Sequence, residues 1–446
     1  MQPFNSQQLI TPEPLLAKSD KADIQKYCVL YLFCWTIAPI LAIGMIWRIL
    51  ALAAFAVWYS LALKRGFQIT PPMSKAIGFS IFISVVIILT DLKIGHIIKR
   101  IDVFMLAIAV IMFHFYIKHP QELIDLIPYL LFMLALFNFR TGKALLSNPH
   151  IARLIVRNSD EAHTYQMKGI GGYCLLYLQV CACPAMLAWG KQLLLTPYRK
   201  KNKILFISWL LSYLLFLFKA SYSIALFATA ISCYLVLPKK KTNLRQSLVI
   251  MIVFFILLMA AILYIEPFRN LLFDIFRGTA IERKLHDFAF INGVETNDRY
   301  AAQNYGSFDT RFSAYSGSLW KILKYPIIGG LFFDKAVGSH SAILDTIARF
   351  GWLGGWLYCG MIFTLPNTLK KKLSPNTQLS SINNATFAVL LFIALLDTLP
   401  FEISFNLVML NAVFFFDLMK KGKHFASPAY WNYDTDNSLT NVSNNT

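Results

Sequence analysis

His340 is the residue whose type best suits it for chemistry in this chain. It stands in Gly338-Ser339-His340-Ser341, between a long polar stretch and an apolar run punctuated by Gly351, Gly354 and Gly355. An imidazole titrates near neutral pH, so it can take a proton from a hydroxyl and later return it. On a helix, the step from His340 to Gly351 is about three turns. Leu344, Ile347 and Gly351 then lie below His340 on one face, as a groove whose floor the glycine opens. A lipid-linked substrate, with its reacting head at the interface and its tail in the bilayer, fits that arrangement. A plainer reading has the glycines allowing close helix packing and His340 capping the helix start.

Other titratable groups read as structural. Asp345 and Arg349 are spaced for an i, i+4 ion pair. Asp397 and Glu402 bracket Leu399-Pro400, a tight turn from which they could orient a sugar hydroxyl or His340. His114, among Phe113, Phe115 and Tyr116, suits a packed or interfacial position more than a ligand's. No carboxylate-rich motif for a divalent metal lies near the predicted external face, so the expected chemistry uses no metal and no cofactor.

The elements that must position these residues are membrane helices. The 446 residues are 57% hydrophobic and 15% charged, far more apolar than a soluble domain. Apolar runs recur at the length of about 20 residues that spans hydrocarbon as a helix. They lie near 27–42, 44–63, 76–92, 102–117, 123–139, 170–190, 204–218, 220–237, 247–265, 342–365, 384–400 and 403–419. The predicted fold class is therefore all-α, a polytopic membrane protein of about twelve helices. The net charge of +19 sits in short clusters between these runs, which is the positive-inside pattern and argues against nucleic acid as a partner.

With a cytoplasmic N-terminus, Lys64-Arg65, Arg199–Lys203, Lys239–Arg245, Lys370–Lys372 and Lys420–Lys423 all fall on the same side. The organisation predicted is a polar N-terminal segment 1–26, helices through 27–265, one large external loop 266–340, helices through 341–419, and a cytoplasmic tail 420–446. The N-terminal segment lacks the order of a cleaved signal peptide, so an uncleaved anchor is expected. The loop is too long for an idle connection, and its apolar patches among Arg277, Arg283, Arg299 and Arg311 suggest a small helical cap on the membrane surface. All seven cysteines lie in or beside apolar runs, so neither a disulfide nor a zinc site is expected.

His340-Ser341, nine residues, Gly351, two residues and Gly354 resemble the signature of the O-antigen ligase and polymerase superfamily. Arg311, Tyr315, Gly317, Trp320, Pro326 and Gly329 resemble the family segment that precedes the histidine with an arginine, an amphipathic helix and a Pro-x-x-Gly turn. The resemblance implies glycosyl transfer at the periplasmic face of the bacterial inner membrane, from an oligosaccharide carried on undecaprenyl diphosphate. An acceptor hydroxyl attacks the anomeric carbon while the lipid diphosphate leaves, so a base and cations are needed. His340 suits the base. Arg311 suits the phosphate, since a guanidinium holds its oxygens in bidentate fashion; the alternative is a pair with Asp309.

Relatives carry a Ser- or Thr-Arg pair near the external end of a mid-chain helix, where this chain reads Lys219-Ala220-Ser221-Tyr222, with Tyr222 in the arginine's place. Lys219, one turn away, could supply the charge or could snorkel to headgroups. Arg140, Arg153 and Arg157, and Arg299 in the long loop, are further candidates for diphosphate or glycan contacts, and equally ordinary membrane-surface arginines. The expected partners are the lipid-linked oligosaccharide, membrane lipids and a chain-length regulator. Three functions stay open on this reading. A polymerase extends the glycan on its carrier, a ligase moves it to lipid A core, and a transporter of lipid-linked sugars would show two related halves, which are not visible.

Overall fold

The computed structural model of the chain describes residues 15–42, 44–91, 101–148, 151–156, 160–196, 200–220, 222–237, 242–277, 280–291, 307–330, 340–374, 377–397, 399 and 403–421. Among them the regular structure is helical, with no strand. The helices are α1 (Leu15–Ile37), α2 (Met45–Lys64), α3 (Ser74–Asp91), α4 (Ile101–Tyr116), α5 (Pro120–Ile124), α6 (Ile127–Ser147), α7 (Ile151–Val156), α8 (Asp160–Met167), α9 (Tyr173–Leu195) and α10 (Lys200–Ala220). They continue as α11 (Ser223–Val236), α12 (Leu244–Tyr264), α13 (Glu266–Ile275), α14 (Ala280–Ile291), α15 (Ser307–Lys324), α16 (Ala342–Ile362), α17 (Thr364–Lys372), α18 (Gln378–Leu396) and α19 (Ser404–Lys421).

Each expected apolar run coincides with a helix. Six segments are long and apolar enough to cross a membrane by length and composition: α2, Pro120–Ser147, α9, α10, α12 and α18. Shorter apolar stretches occupy α3, α4 and α11. Boundaries move by several residues: α1 starts at Leu15, inside the expected polar segment 1–26, and α6 runs on to Ser147, so Arg140 lies inside a helix rather than in the external segment expected after 139.

Burial separates the inner helices from the outer ones. In α9 every residue from Leu175 to Gly190 is buried, and this helix packs against α10, α11, α18 and α19. By contrast α2 and α12 bury little and turn Ile46, Ile49 and Leu50, or Ile252, Phe254 and Leu257, outward, as a lipid-facing surface does. One set of interior polar groups satisfies itself. The side-chain amides of Asn138 and Gln179 exchange hydrogen bonds at 2.7 and 2.8 Å, and Trp209 Nε1 donates to Gln179 Oε1 at 2.9 Å. This closed set ties α6, α9 and α10 together, which matters where neighbouring lipid offers no substitute partner.

Two residues of the expected basic clusters, Arg65 and Lys420, meet at one end of the bundle. There Arg65 pairs with Glu122 at 2.6 Å and hydrogen-bonds Gln25, Lys26 lies 3.6 Å from Asp125, and Lys420 reaches Gln121. At the same end the Thr242 carbonyl accepts from Asn384 Nδ2 at 2.9 Å. The segment 266–340 carries the helices of the expected cap: α13 and α14 meet through stacked rings of Phe273 and His286, and α15 packs along the start of α16.

α16 is broken at Gly351, whose φ of +70° and ψ of −174° are not helical. The turn after α15 fills the break, with Trp352 N–H donating to the Pro326 carbonyl at 2.7 Å. A β-carbon on Gly351 would stand 2.1 Å from the Ile327 oxygen, and one on Gly329 would stand 2.4 Å from the Arg349 carbonyl and the Gly351 nitrogen. Only glycine fits, because backbone meets backbone here and φ is positive at both positions. The open groove expected under His340 is thus closed by the Pro326–Gly329 turn, and the reading in which the glycine serves close packing holds at Gly351.

Gly351→Ala should lower the thermal unfolding temperature in detergent, with a cost of at least about 1–3 kcal/mol from overpacking. Gly317→Ala, at a helical site with nothing within 4 Å of an added β-carbon, should leave it unchanged or raise it by the helix-propensity gain of about 0.5–1 kcal/mol. Equal melting of the two variants would contradict the docking.

Candidate functional site

At the end of the bundle opposite Arg65 and Lys420, the last turn of α18 gathers four other helices. Asp397 caps α18 in an extended conformation. Its Oδ2 accepts from the Tyr177 hydroxyl of α9 at 2.7 Å and also from the Tyr222 hydroxyl, and its carbonyl accepts the Ala342 N–H of α16 at 2.9 Å. One residue and three residues earlier on α18, the Leu396 carbonyl accepts from Tyr315 of α15 at 2.8 Å and the Ala394 carbonyl accepts from Ser341 Oγ at 3.2 Å.

The tyrosines form one aromatic group around this carboxylate. The Tyr222 ring lies 4.7 Å from that of Tyr173 and meets Tyr177 edge-on at 5.3 Å. Asp397 is only 5% exposed, and a buried carboxylate is tolerable only when hydrogen bonds replace its water. Two phenol donors on one oxygen supply that replacement.

A second buried carboxylate fixes the first turn of α16. Asp345 accepts from Ser318 Oγ through Oδ1 at 2.7 Å and from the Ser341 N–H through Oδ2 at 3.0 Å. The attraction expected from Arg349 acts on Asp345 alongside these bonds, and α15 brings a fully buried Ser318 against the helix. Ser341, not His340, is the N-cap: its side chain accepts from the Leu344 N–H at 3.2 Å. His340 is therefore released from capping and stands half-buried one residue ahead of the cap.

The other candidates divide. Tyr222 turns inward and donates its hydroxyl to Asp397. Lys219 is exposed in the last turn of α10, where a cation complements the negative end of the helix. Arg140 is exposed on α6; its Nη1 would stand 3.0 Å from a β-carbon on Gly169, over the turn that leads into α9. Thr141 beside it accepts the Gly171 N–H at 2.8 Å, which puts Arg140 at the same end as Tyr173 and Asp397. Arg311 belongs to α15, one turn before Tyr315, and its side chain lies outside the described residues, as does that of Arg153. Arg157, Arg299 and Glu402 lie outside them altogether.

Tyr173, Tyr177 and Ser318 were not legible as site residues, since a tyrosine or serine in an apolar run has no distinguishing context. Asp397 did carry a signal: it is the first charge after Lys372 in a long neutral stretch. No protein-family model matches this chain, and no curated protein matches it.

Asp397→Asn and Tyr222→Phe should each lower stability in detergent by about 1–3 kcal/mol, the value of a hydrogen bond to a buried charge. The double variant should fall short of the sum by about 0.5 kcal/mol or more, as expected for groups in contact. Strict additivity in thermal unfolding would show that the two are not coupled.

Proposed function

We propose that this chain is a polymerase of lipid-linked polysaccharide repeat units, such as those of O-antigen or capsule, in the inner membrane of a bacterium. On this reading the shorter apolar helices also cross the bilayer, giving about twelve spans, and the segment 266–340 faces the periplasm. The growing glycan moves from its undecaprenyl diphosphate onto the next lipid-linked unit. His340 takes the proton of the acceptor hydroxyl as its oxygen bonds to the anomeric carbon. The bond from that carbon to the diphosphate breaks, and the lipid diphosphate departs with the electron pair. Arg311 holds the departing phosphate oxygens, with Arg140 and Lys219 as further cations at the same end.

The observation that carries this reading is the meeting of the motif's separate parts. Pro326 and Gly329 lie far upstream of Gly351 in sequence, yet they join it backbone to backbone, and the same helix presents His340 next to its cap. An arrangement in which the motif glycines have one fixed contact and the histidine none of the capping duty favours a site built around that histidine. The missing mid-chain arginine also leans the reading from ligase towards polymerase.

A surface-glycan gel from a strain lacking this gene, complemented with wild type or His340→Ala, tests it. The variant should be inserted normally and should leave a single repeat on lipid A core with no ladder. Loss of all attached glycan would make the protein a ligase, and an unchanged ladder would remove His340 as the base. Arg311→Lys should also fail to restore the ladder, because a point charge cannot replace a bidentate fork. Transfer by the purified protein should survive EDTA; inhibition reversed by magnesium would overturn the metal-free mechanism.

A further inference from the structure

α15 has three sides rather than two. At about 100° per residue, Ser318, Ile322 and Tyr315 fall on the side that packs on the bundle, and the first two are buried. Leu319, Leu323 and Trp320 fall on a second side and are 49%, 74% and 65% exposed. Gly317, Lys321 and Lys324 fall on a third. A helix held to the bundle by one face has no structural need for a second apolar face in water, where such a patch costs solubility.

The apolar side does not stop at the end of the helix. Ile327, 73% exposed, follows in the turn whose Pro326 carbonyl takes the Trp352 N–H. From there the surface passes to Trp352, Leu353 and Trp356 of α16, all exposed. It is thus continuous with the exposed apolar side of α16. The flank carries cations: Lys324 lies over the Tyr325 ring at 5.2 Å from its centroid, and lysines so placed reach lipid phosphates while their stems cover apolar surface. Tryptophan beside lysine at the edge of an apolar surface is the composition of the bilayer interface.

We infer that α15 lies in the plane of the membrane, with Leu319, Trp320, Leu323 and Ile327 sunk among the acyl chains of one leaflet and Lys321 and Lys324 at its phosphates. The occupant of this face is the phospholipid bilayer. The consequence is depth: the Ser318–Asp345 and Pro326–Trp352 bonds tie α15 to the start of α16, so His340 is held at the level of the headgroups. The leaflet is the periplasmic one on the functional reading above; the embedding itself rests on the structure alone.

The test places a photoactivatable benzophenone amino acid at position 319, 323, 317 or 132 of the full chain, reconstituted in vesicles of phosphatidylethanolamine and phosphatidylglycerol. After illumination, mass spectrometry counts phospholipid adducts. Phe132, 57% exposed on α6, reports successful reconstitution, and Gly317, on the third side, has open space for a side chain. Positions 319 and 323 should match 132 and exceed 317 by at least about threefold, as expected for an interfacial helix with one face in lipid. Adducts at 319 and 323 no higher than at 317, with 132 still labelled, would overturn the inference. So would protein–protein adducts at 319 and 323 in place of lipid, which would make this face an interface between two copies. No substrate or turnover is involved, so either result leaves the polymerase reading to its own test.

Discussion

The buried carboxylate of Asp397 is the constraint on which the candidate site depends. It ends a stretch from 373 to 396 without a charge, and it is enclosed by the ends of helices distant in sequence. A carboxylate so placed is stable only if donors come to it. Tyr177 and Tyr222 come from α9 and α11, and in meeting this demand they fix where those helices end. The carbonyl of the same residue takes the first amide of α16, which extends the constraint to the helix that carries the cap beside His340.

Around this centre the structure uses two kinds of contact. Side-chain hydrogen bonds to charged or amide groups join helices across the interior, as in Asn138–Gln179–Trp209 and Ser318–Asp345. Direct backbone contact joins the cap to the core, where the Pro326–Gly329 turn enters the break at Gly351. The first kind tolerates small shifts in helix position, since side chains adjust. The second does not, because a β-carbon at either glycine would overlap main-chain atoms. The junction beside His340 is accordingly the more rigidly specified of the two kinds.

The departure at Tyr222 gains a physical meaning from these contacts. An arginine there would bring a positive charge beside Asp397 and form a pair; the tyrosine satisfies the same carboxylate as a neutral donor. Among the described residues, Arg140 and Lys219 are exposed cations at this end. A site of this kind keeps its charge at the rim and its hydrogen-bonded carboxylates inside.

By itself the sequence determined the helical class and the places of the apolar runs, because length and hydropathy act residue by residue along the chain. It also marked His340, Gly351 and the Pro-x-x-Gly turn, whose spacing is a linear property. Only the tertiary structure decided that the glycine opening is filled by that turn, that Ser341 rather than His340 caps α16, that Asp345 serves Ser318 and Ser341 alongside Arg349, and that Tyr222 braces Asp397. Each of these turns on which distant segment comes within about 3 Å of a given atom, the range of a hydrogen bond. Periodicity and composition fix which residues face inward, and the identity of the partner waiting there is set by how the helices pack.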